Sequence, residues 1–303
     1  MTTLGTTRLD AATNTERVPT SLHGYQILQR LGRGAASTLY VACDPATRSL
    51  HALKHVVRRP GREREDQRFL DQAENEHEIA SSIDHPGIRA ARRIIRIRSM
   101  LRVSEIVLLL DFVDGAPLDR IPTDDASQIL RWHLHAARAL AALHARGFVH
   151  ADLKPGNMID PGDGTVVLID LGQACEIGAR KPRIQGTPGF MAPEQRRLEP
   201  LGPATDAFAL GASILRTTLH GRFASELGSA GSSAARASLE GTEFPRLTAD
   251  ADAAAALLAE HGTADSVVSL VRRLLAPRPQ DRPSSMLEIA EILEEEVAAG
   301  VTA

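Results

Sequence analysis

The sequence has little cysteine, little net charge and no long apolar run. Its two cysteines, Cys43 and Cys175, have no metal-ligand spacing, which argues against a disulfide framework and for a reducing compartment. No apolar stretch approaches the roughly 18 residues that span a bilayer, so no membrane contact is expected and the cytoplasm is the expected location. A formal charge of −3 over 303 residues gives no electrostatic case for nucleic acid or for an anionic membrane surface. The polar, Thr-rich start from Met1 to Thr20 lacks the apolar centre of a signal peptide, and residues 1–24 read as a disordered tail. No internal repeat is evident. The length allows one large domain or two lobes around a shared cleft.

What is present begins near Tyr25. Tyr25 to Leu31 alternates as a strand, then comes Gly32-Arg33-Gly34-Ala35-Ala36-Ser37, then a strand from Thr38 to Ala42. After a turn around Asp44-Pro45, Ser49 to Val57 reads as a further strand containing Lys54. Two glycines in a hairpin let backbone N–H groups approach phosphate closely, although ordinary hairpin turns use glycine too. Lys54 is harder to explain as structure, because a charge in an apolar strand wants a partner.

The stretch from about Glu65 to Ile83 has helical spacing and offers three glutamates, Glu74, Glu76 and Glu78. Glu76 has Phe69, Ala73, Ile79, Ala80 and Ile83 as its three-, four- and seven-residue neighbours, an apolar stripe. Glu78 has Glu74, Asn75, Ser81 and Ser82, a solvated face. Glu76 is therefore the carboxylate expected on the core side, where it needs a cation. The basic run from Arg58 to Arg64 is interleaved with Glu63, Glu65 and Asp66 and reads as a solvated connector. Ala91 to Val113 reads as two more strands, and Ser127 to Arg146 as an amphipathic helix ending at Gly147. On that helix His133, His135 and His144 read as packed or surface histidines rather than ligands.

The most informative run is His150-Ala151-Asp152-Leu153-Lys154-Pro155-Gly156-Asn157, followed by Asp170-Leu171-Gly172 after an apolar strand. It supplies a carboxylate that can orient a hydroxyl, a lysine beside it, and an Asn and an Asp able to hold magnesium through oxygen, which are the parts phosphoryl transfer needs. A hairpin from Met158 through the Pro161-Gly162-Asp163-Gly164 turn to Ile169 would bring Asn157 and Asp170 together at its open end. Further on stand Gly186-Thr187 with Ala192-Pro193-Glu194, then Thr205-Asp206, then Asp281-Arg282. Gly228 to Ala237 reads as a loose loop, and Ser285 to Glu288 as a capping box opening the last helix.

As an ordered set these motifs resemble the eukaryotic-type serine/threonine protein kinases, bacterial ones included, over about residues 25–299. The resemblance implies an α+β, bilobal fold with a β-rich N-lobe over about 25–111 and a mostly helical C-lobe over about 116–299. It implies ATP with Mg2+, or Mn2+ in its place. The ATP site would comprise Gly32, Arg33, Gly34, Ser37, Leu39, Ala52, Lys54 and Glu76. Leu110 would guard the back of the adenine pocket, with backbone groups of Asp111 and Val113 at its edge. Asp152 and Lys154 would be catalytic, Asn157 and Asp170 metal ligands. His150, Thr187, Asp206 and the pair Glu194–Arg282 would be supports. The partners implied are protein substrates bearing Ser or Thr, with room for a regulatory partner.

The chain departs from the family pattern at four places. Ala151 stands where an Arg is usual, Leu171 where a Phe is, Ser37 where the loop's third glycine is, and Leu39 where a valine is. Locally, His150 to Asp152 and Asp170 to Cys175 are similar to the SR-protein kinases. Between Asp170 and Glu194 the one hydroxyl side chain is Thr187. With Ala151 unable to receive a phosphate, activity without activation-loop phosphorylation is expected. Two other readings remain at this point. One is a pseudokinase acting as a nucleotide-binding scaffold; the other is a small-molecule phosphotransferase of the same superfamily.

Overall fold

The computed structural model of the chain describes residues 18–99, 101–220 and 243–301. Its first half is a six-stranded antiparallel sheet in the order β1-β2-β3-β4-β6-β5. The strands are β1 (Ser21–Leu22), β2 (Tyr25–Arg33), β3 (Ser37–Cys43), β4 (Leu50–Val57), β5 (Ala91–Ser99) and β6 (Arg102–Asp111). The sheet thus begins ahead of Tyr25, inside the stretch read as a tail. His23 (φ 48°) and Gly24 (φ 90°) form the tight turn between β1 and β2, the mirror-type turn whose twist matches a hairpin. Residues 1–17 of that tail, and the loop read at 228–237, lie outside the described residues.

Helix α1 (Glu63–Ser81) lies on one face of this sheet. Leu70 and Ala73 pack on Val56 of β4 and Ile106 of β6, all of them buried. The basic connector before α1 is pinned rather than merely solvated. Arg59 donates from its backbone N–H, Nε and Nη2 to the buried Asp66 at 2.8, 2.9 and 2.6 Å, because the α1 start turns that carboxylate inward.

The second half is mostly helical. Helix α2 (Ala126–Ala145) starts at Asp125, whose carboxylate accepts from the Gln128 N–H at 3.1 Å. It ends at Gly147, whose φ of 84° suits glycine. A short strand β7 (Ala116–Pro117) precedes α2, and β8 (Phe148–Val149), β9 (Met158–Asp160), β10 (Val167–Leu168) and β11 (Cys175–Glu176) follow it. Then come α3 (Pro193–Arg196), α4 (residues 203–220), α5 (Glu243–Leu247), α6 (Ala251–Glu260), α7 (Asp265–Leu274) and α8 (Met286–Val301).

Leu140 and Leu143 of α2, Phe208 and Leu210 of α4, Leu274 of α7 and Leu293 of α8 belong to one buried cluster. Each such side chain contributes roughly 1.5–3 kcal/mol by leaving water, which makes the cluster a stiff platform for the loop after β8. Trp132 is fully buried and donates its Nε1–H to Asp160 at 2.7 Å. At Gly115 a Cβ would stand 2.2 Å from the Asp160 carbonyl oxygen, so this close crossing requires glycine. The last helix opens with Ser285 Oγ accepting from the Glu288 N–H at 3.2 Å. Glu288 does not return to Ser285 as in a capping box; its carboxylate takes the Ser284 N–H at 3.1 Å. Among the described residues no helix is long and apolar enough to cross a membrane.

Candidate active site

The cleft between sheet and helices is built around Lys54. On β4, Ala52, Lys54 and Val56 point to the face that carries α1, in register with Leu110, Leu108 and Ile106 of β6. Helical periodicity brings Glu76, 1% exposed, under the same face. Lys54 Nζ donates to Glu76 Oε2 at 2.6 Å and to Asp170 Oδ1 at 3.0 Å. Burial alone would lower the lysine pKa, but the charges of Asp170 and Glu76 outweigh it and hold it raised. The Lys54 charge in turn drives the Asp170 carboxyl well below its ordinary range. Both groups are therefore ionised at neutral pH.

Glu74 and Glu78 take no part. Glu74 forms an exposed pair with Arg96, and Glu78 faces solvent. Asn75, read as part of that solvated face, is instead half-buried. Its Nδ2 lies 2.9 Å from the Ala174 carbonyl and 3.3 Å from those of Leu171 and Gly172. The segment after Asp170 packs on α1 and converts an outer helix position into a contact.

The loop after β8 is held from below. Buried Asp206 of α4 accepts the His150 N–H at 2.8 Å, the Ala151 N–H at 2.9 Å and His144 Nε2 at 2.8 Å. Burial would raise the Asp206 pKa, yet the bond and charge from His144 outweigh it and the net shift is downward. His150 Nδ1 accepts the Asp152 N–H and its Nε2 faces the Ile169 carbonyl, both at 3.3 Å, which fixes the ring orientation. Ala151 has φ 61° and Asp170 φ 63°, left-handed conformations at the two ends of the site.

Above this platform a short relay forms. Lys154 Nζ donates to Thr187 Oγ1 at 2.8 Å, and the Thr187 hydroxyl donates to Asp152 Oδ1 at 2.8 Å. Lys154 Nζ also lies 3.5 Å from Asp152 Oδ2. Asn157 Nδ2 donates to the Asp152 carbonyl at 2.8 Å, and the Ile169 N–H to the Asn157 carbonyl at 3.0 Å. These bonds orient Asn157 beside Asp170 and leave its side-chain oxygen to accept a cation. A neutral amide oxygen and an ionised carboxylate form a hard oxygen donor set, which fits Mg2+ or Mn2+.

Two adjoining cavities occupy the cleft. One, of about 220 Å³, is lined by Gly32, Arg33, Gly34, Ser37, Leu39, Lys54, Arg89, Asn157, Ile169 and Asp170. The other, of about 210 Å³, includes Asp152 and Asp170 with Gly34 and Ser37. A larger one of about 370 Å³ lies elsewhere, against Glu194, Thr205 and Arg282, away from these groups. The β2–β3 turn closes with the Gly34 N–H on the Ser37 carbonyl at 2.7 Å. A Cβ at Gly32 would meet nothing within 4 Å, so the fold leaves open space there.

At the rear, Ala52 faces Leu110 across the ladder, both buried. Asp111 spends its N–H on the Ala90 carbonyl at 3.0 Å and its carboxylate on Arg92. A ligand edge would therefore meet Asp111 through its carbonyl, with Val113 half-buried beyond it.

Four contributing residues escaped the sequence reading. His144 was expected to be packed or on the surface, with no partner named, and Asn75 was placed on a solvated face. Gln195 donates to the Ala151 carbonyl at 2.8 Å and accepts the Ala192 N–H at 2.9 Å. Arg89, 7% exposed, bonds Glu76. A charge between Ile88 and Ala90 was the available signal for Arg89, the same signal that marked Lys54.

The family model described as "Protein kinase domain" matches residues 25–297. Among curated proteins the chain is similar to the serine/threonine-protein kinase PAK mbt of Drosophila melanogaster, 29% identical over 61% of this chain and 28% of the relative. It is similar to the PknA serine/threonine-protein kinase of Corynebacterium glutamicum, 29% identical over 62% of this chain and 41% of the relative. It is 32% identical to the human calcium/calmodulin-dependent protein kinase type 1B over 62% of this chain and 54% of the relative. The matched stretch thus spans from about a quarter to about half of these relatives' length.

Proposed function

The chain belongs to the protein kinase domain family, and we propose that it is an ATP-dependent serine/threonine protein kinase. The observation that carries this reading is the double engagement of Lys54 by Glu76 and Asp170, at 2.6 and 3.0 Å, over a cavity that also holds Asp152. A scaffold has no need of two carboxylates on one half-buried lysine beside a third carboxylate.

In the reaction, a substrate Ser or Thr hydroxyl attacks the γ-phosphorus of ATP. The bond between that phosphorus and the β–γ bridging oxygen breaks, and ADP leaves with the electron pair. Asp152 orients the hydroxyl and takes its proton. Thr187 holds Asp152 in place and keeps Lys154 close to the moving charge. Lys54, fixed by Glu76, holds the α- and β-phosphates. Gly32, Arg33, Gly34, Ser37 and Leu39 cover the nucleotide, and Ala52, Leu110, Asp111 and Val113 hold the adenine. Asn157 and Asp170 would hold Mg2+ or Mn2+, which when bound neutralises phosphate charge.

Activity without a phosphate on the activation segment is part of this reading. Ala151 offers no charge to receive one, and Gln195 already ties the end of the segment to the Ala151 carbonyl. The Glu194–Arg282 pair supports a protein rather than a small-molecule acceptor, since small-molecule kinases of the superfamily lack that segment. A reducing, cytoplasmic setting and a protein substrate complete the proposal. The test is incubation with labelled ATP, Mg2+ and a generic basic protein, followed by phosphoamino-acid analysis. Phosphoserine or phosphothreonine made by the wild type and absent with Asp152→Ala is expected; ATP turnover without protein labelling, or none at all, would overturn it.

A further inference from the structure

Arg89 is a buried cation that the reaction as described does not use. Its Nη2 lies 3.2 Å from Glu76 Oε1, while Lys54 Nζ lies 2.6 Å from Glu76 Oε2. Each oxygen of one buried carboxylate therefore has its own cation. The Arg89 Nε is buried without a hydrogen-bond partner, a cost that a purely packing role would leave uncompensated. Arg89 also lines the cavity that holds Lys54, Asn157 and Asp170.

The Arg89 backbone sits where the chain leading into β5 meets the C-terminal half. The Arg89 N–H donates to the Leu168 carbonyl at 3.0 Å, and the Leu168 N–H to the Gly87 carbonyl at 2.8 Å, with a parallel bridge between Ile88 and Leu168. Leu168 is in β10, on the hairpin that leads to Asp170. Glu76 is thus tied to the sheet through Lys54 and to the C-terminal half through Arg89.

We propose that Arg89 is a positioning residue that locks α1 in place, by holding Glu76 from the C-terminal side so that Lys54 stays set toward the phosphates. The lock acts together with the Asn75 contacts to Leu171, Gly172 and Ala174. A swing of α1 away from the cleft would strand a buried arginine, a buried glutamate and Lys54 at once. The position of α1 then needs no activating signal. The inference rests on the kinase reading for its effect on rate, but its effect on α1 does not.

The test compares Arg89→Met, which keeps length and apolar bulk, with Arg89→Lys, which keeps the charge. Hydrogen exchange across residues 63–81 and steady-state kinetics are both measured. With Arg89→Met, exchange in α1 should rise about tenfold relative to α2, since a buried partner has been removed. The kcat should fall about tenfold or more with KM for ATP changed by less than about threefold, as for a group acting through geometry in the transition state. Arg89→Lys should recover most of both. Unchanged α1 exchange in Arg89→Met overturns the proposal whether or not the protein is a kinase. Failure of both variants to fold, or a uniform rise in exchange across α1 and α2 alike, assigns Arg89 to bulk stability and equally overturns it. Faster α1 exchange in a protein without transferase activity would sustain the lock while sinking the kinase reading.

Discussion

Glu194 and Arg282, 88 residues apart, form a two-pronged ion pair at 2.8 and 3.1 Å with both side chains out of solvent. Arg282 spends two further donors on the Ala204 and Ala276 carbonyls at 2.7 and 2.8 Å, and stacks 5.1 Å from the Phe208 ring. Glu194 also accepts from Thr205 at 3.0 Å. The end of the segment after Asp170 is thereby fastened to α4 and to the chain before α8. Removing one partner leaves the other charge buried and alone, which costs about 3–5 kcal/mol. Arg282→Ala should lower unfolding free energy by that amount in urea titrations. A loss below about 1 kcal/mol would show the pair to behave as an exposed one.

Asp152 and Asp170 should fail in different ways. Asp152→Ala removes the group that positions the hydroxyl, with a loss of about 10²–10⁴ in turnover and nucleotide affinity retained. Asp170→Ala removes a cation ligand and one anion from Lys54, so nucleotide–Mg2+ binding should weaken as well. Calorimetric titration of the nucleotide into each variant separates them. Equal affinities in the two variants would disprove the assignment of Asp170 to the metal.

Glu76→Gln leaves Lys54 and Arg89 facing a neutral amide. Turnover should drop at least tenfold, by analogy with losing a charge-assisted bond of about 1.5–3 kcal/mol. Glu74→Gln loses only an exposed pair with Arg96, and Glu78→Gln a solvated charge. Both should stay within about twofold of wild type, since exposed pairs contribute little. Comparable losses at all three positions would contradict the burial of Glu76 alone.

His133 is fully buried and donates Nδ1–H to the Ile129 carbonyl at 2.7 Å. Burial pushes its pKa down to about 4 from an ordinary 6.5. Because the folded value is the lower one, the unfolded chain takes up the proton first as pH falls. Stability is unaffected above 6.5 and declines from there towards 4, by about 2 kcal/mol at pH 5. His133→Met, similar in volume and unable to titrate, should flatten that part of the curve. Denaturant titrations at pH 7.5 and 5 decide it: an identical acid loss in wild type and variant would place the proton uptake elsewhere.

Phosphatase-treated protein, shown by mass spectrometry to carry no phosphate, should keep its full transfer rate. Thr187 already donates to Asp152 and accepts from Lys154, so a phosphate there would break the relay. Activity lost on treatment and regained with phosphorylated Thr187 would refute activity independent of that modification.

Local pattern made much of this protein legible. Helical spacing alone separates Glu76 from Glu74 and Glu78, because three- and four-residue neighbours share a face whatever the tertiary fold. The run from His150 to Asn157, the strand ending at Asp170 and the Lys54 strand are likewise readable as residue types at short spacing. The same reasoning placed Asn75 wrongly, since a helix wheel sees one helix and not the segment that later packs on it. Only the chain's path decides that His144 reaches Asp206 across 62 residues, that Gln195 caps the Ala151 carbonyl across 44, or that Arg89 meets Glu76. Those bonds depend on strand order, the α1 and α4 placements and the direction of the β9–β10 hairpin. No short-range spacing encodes them, because each forms between elements that meet only when the shared core excludes water.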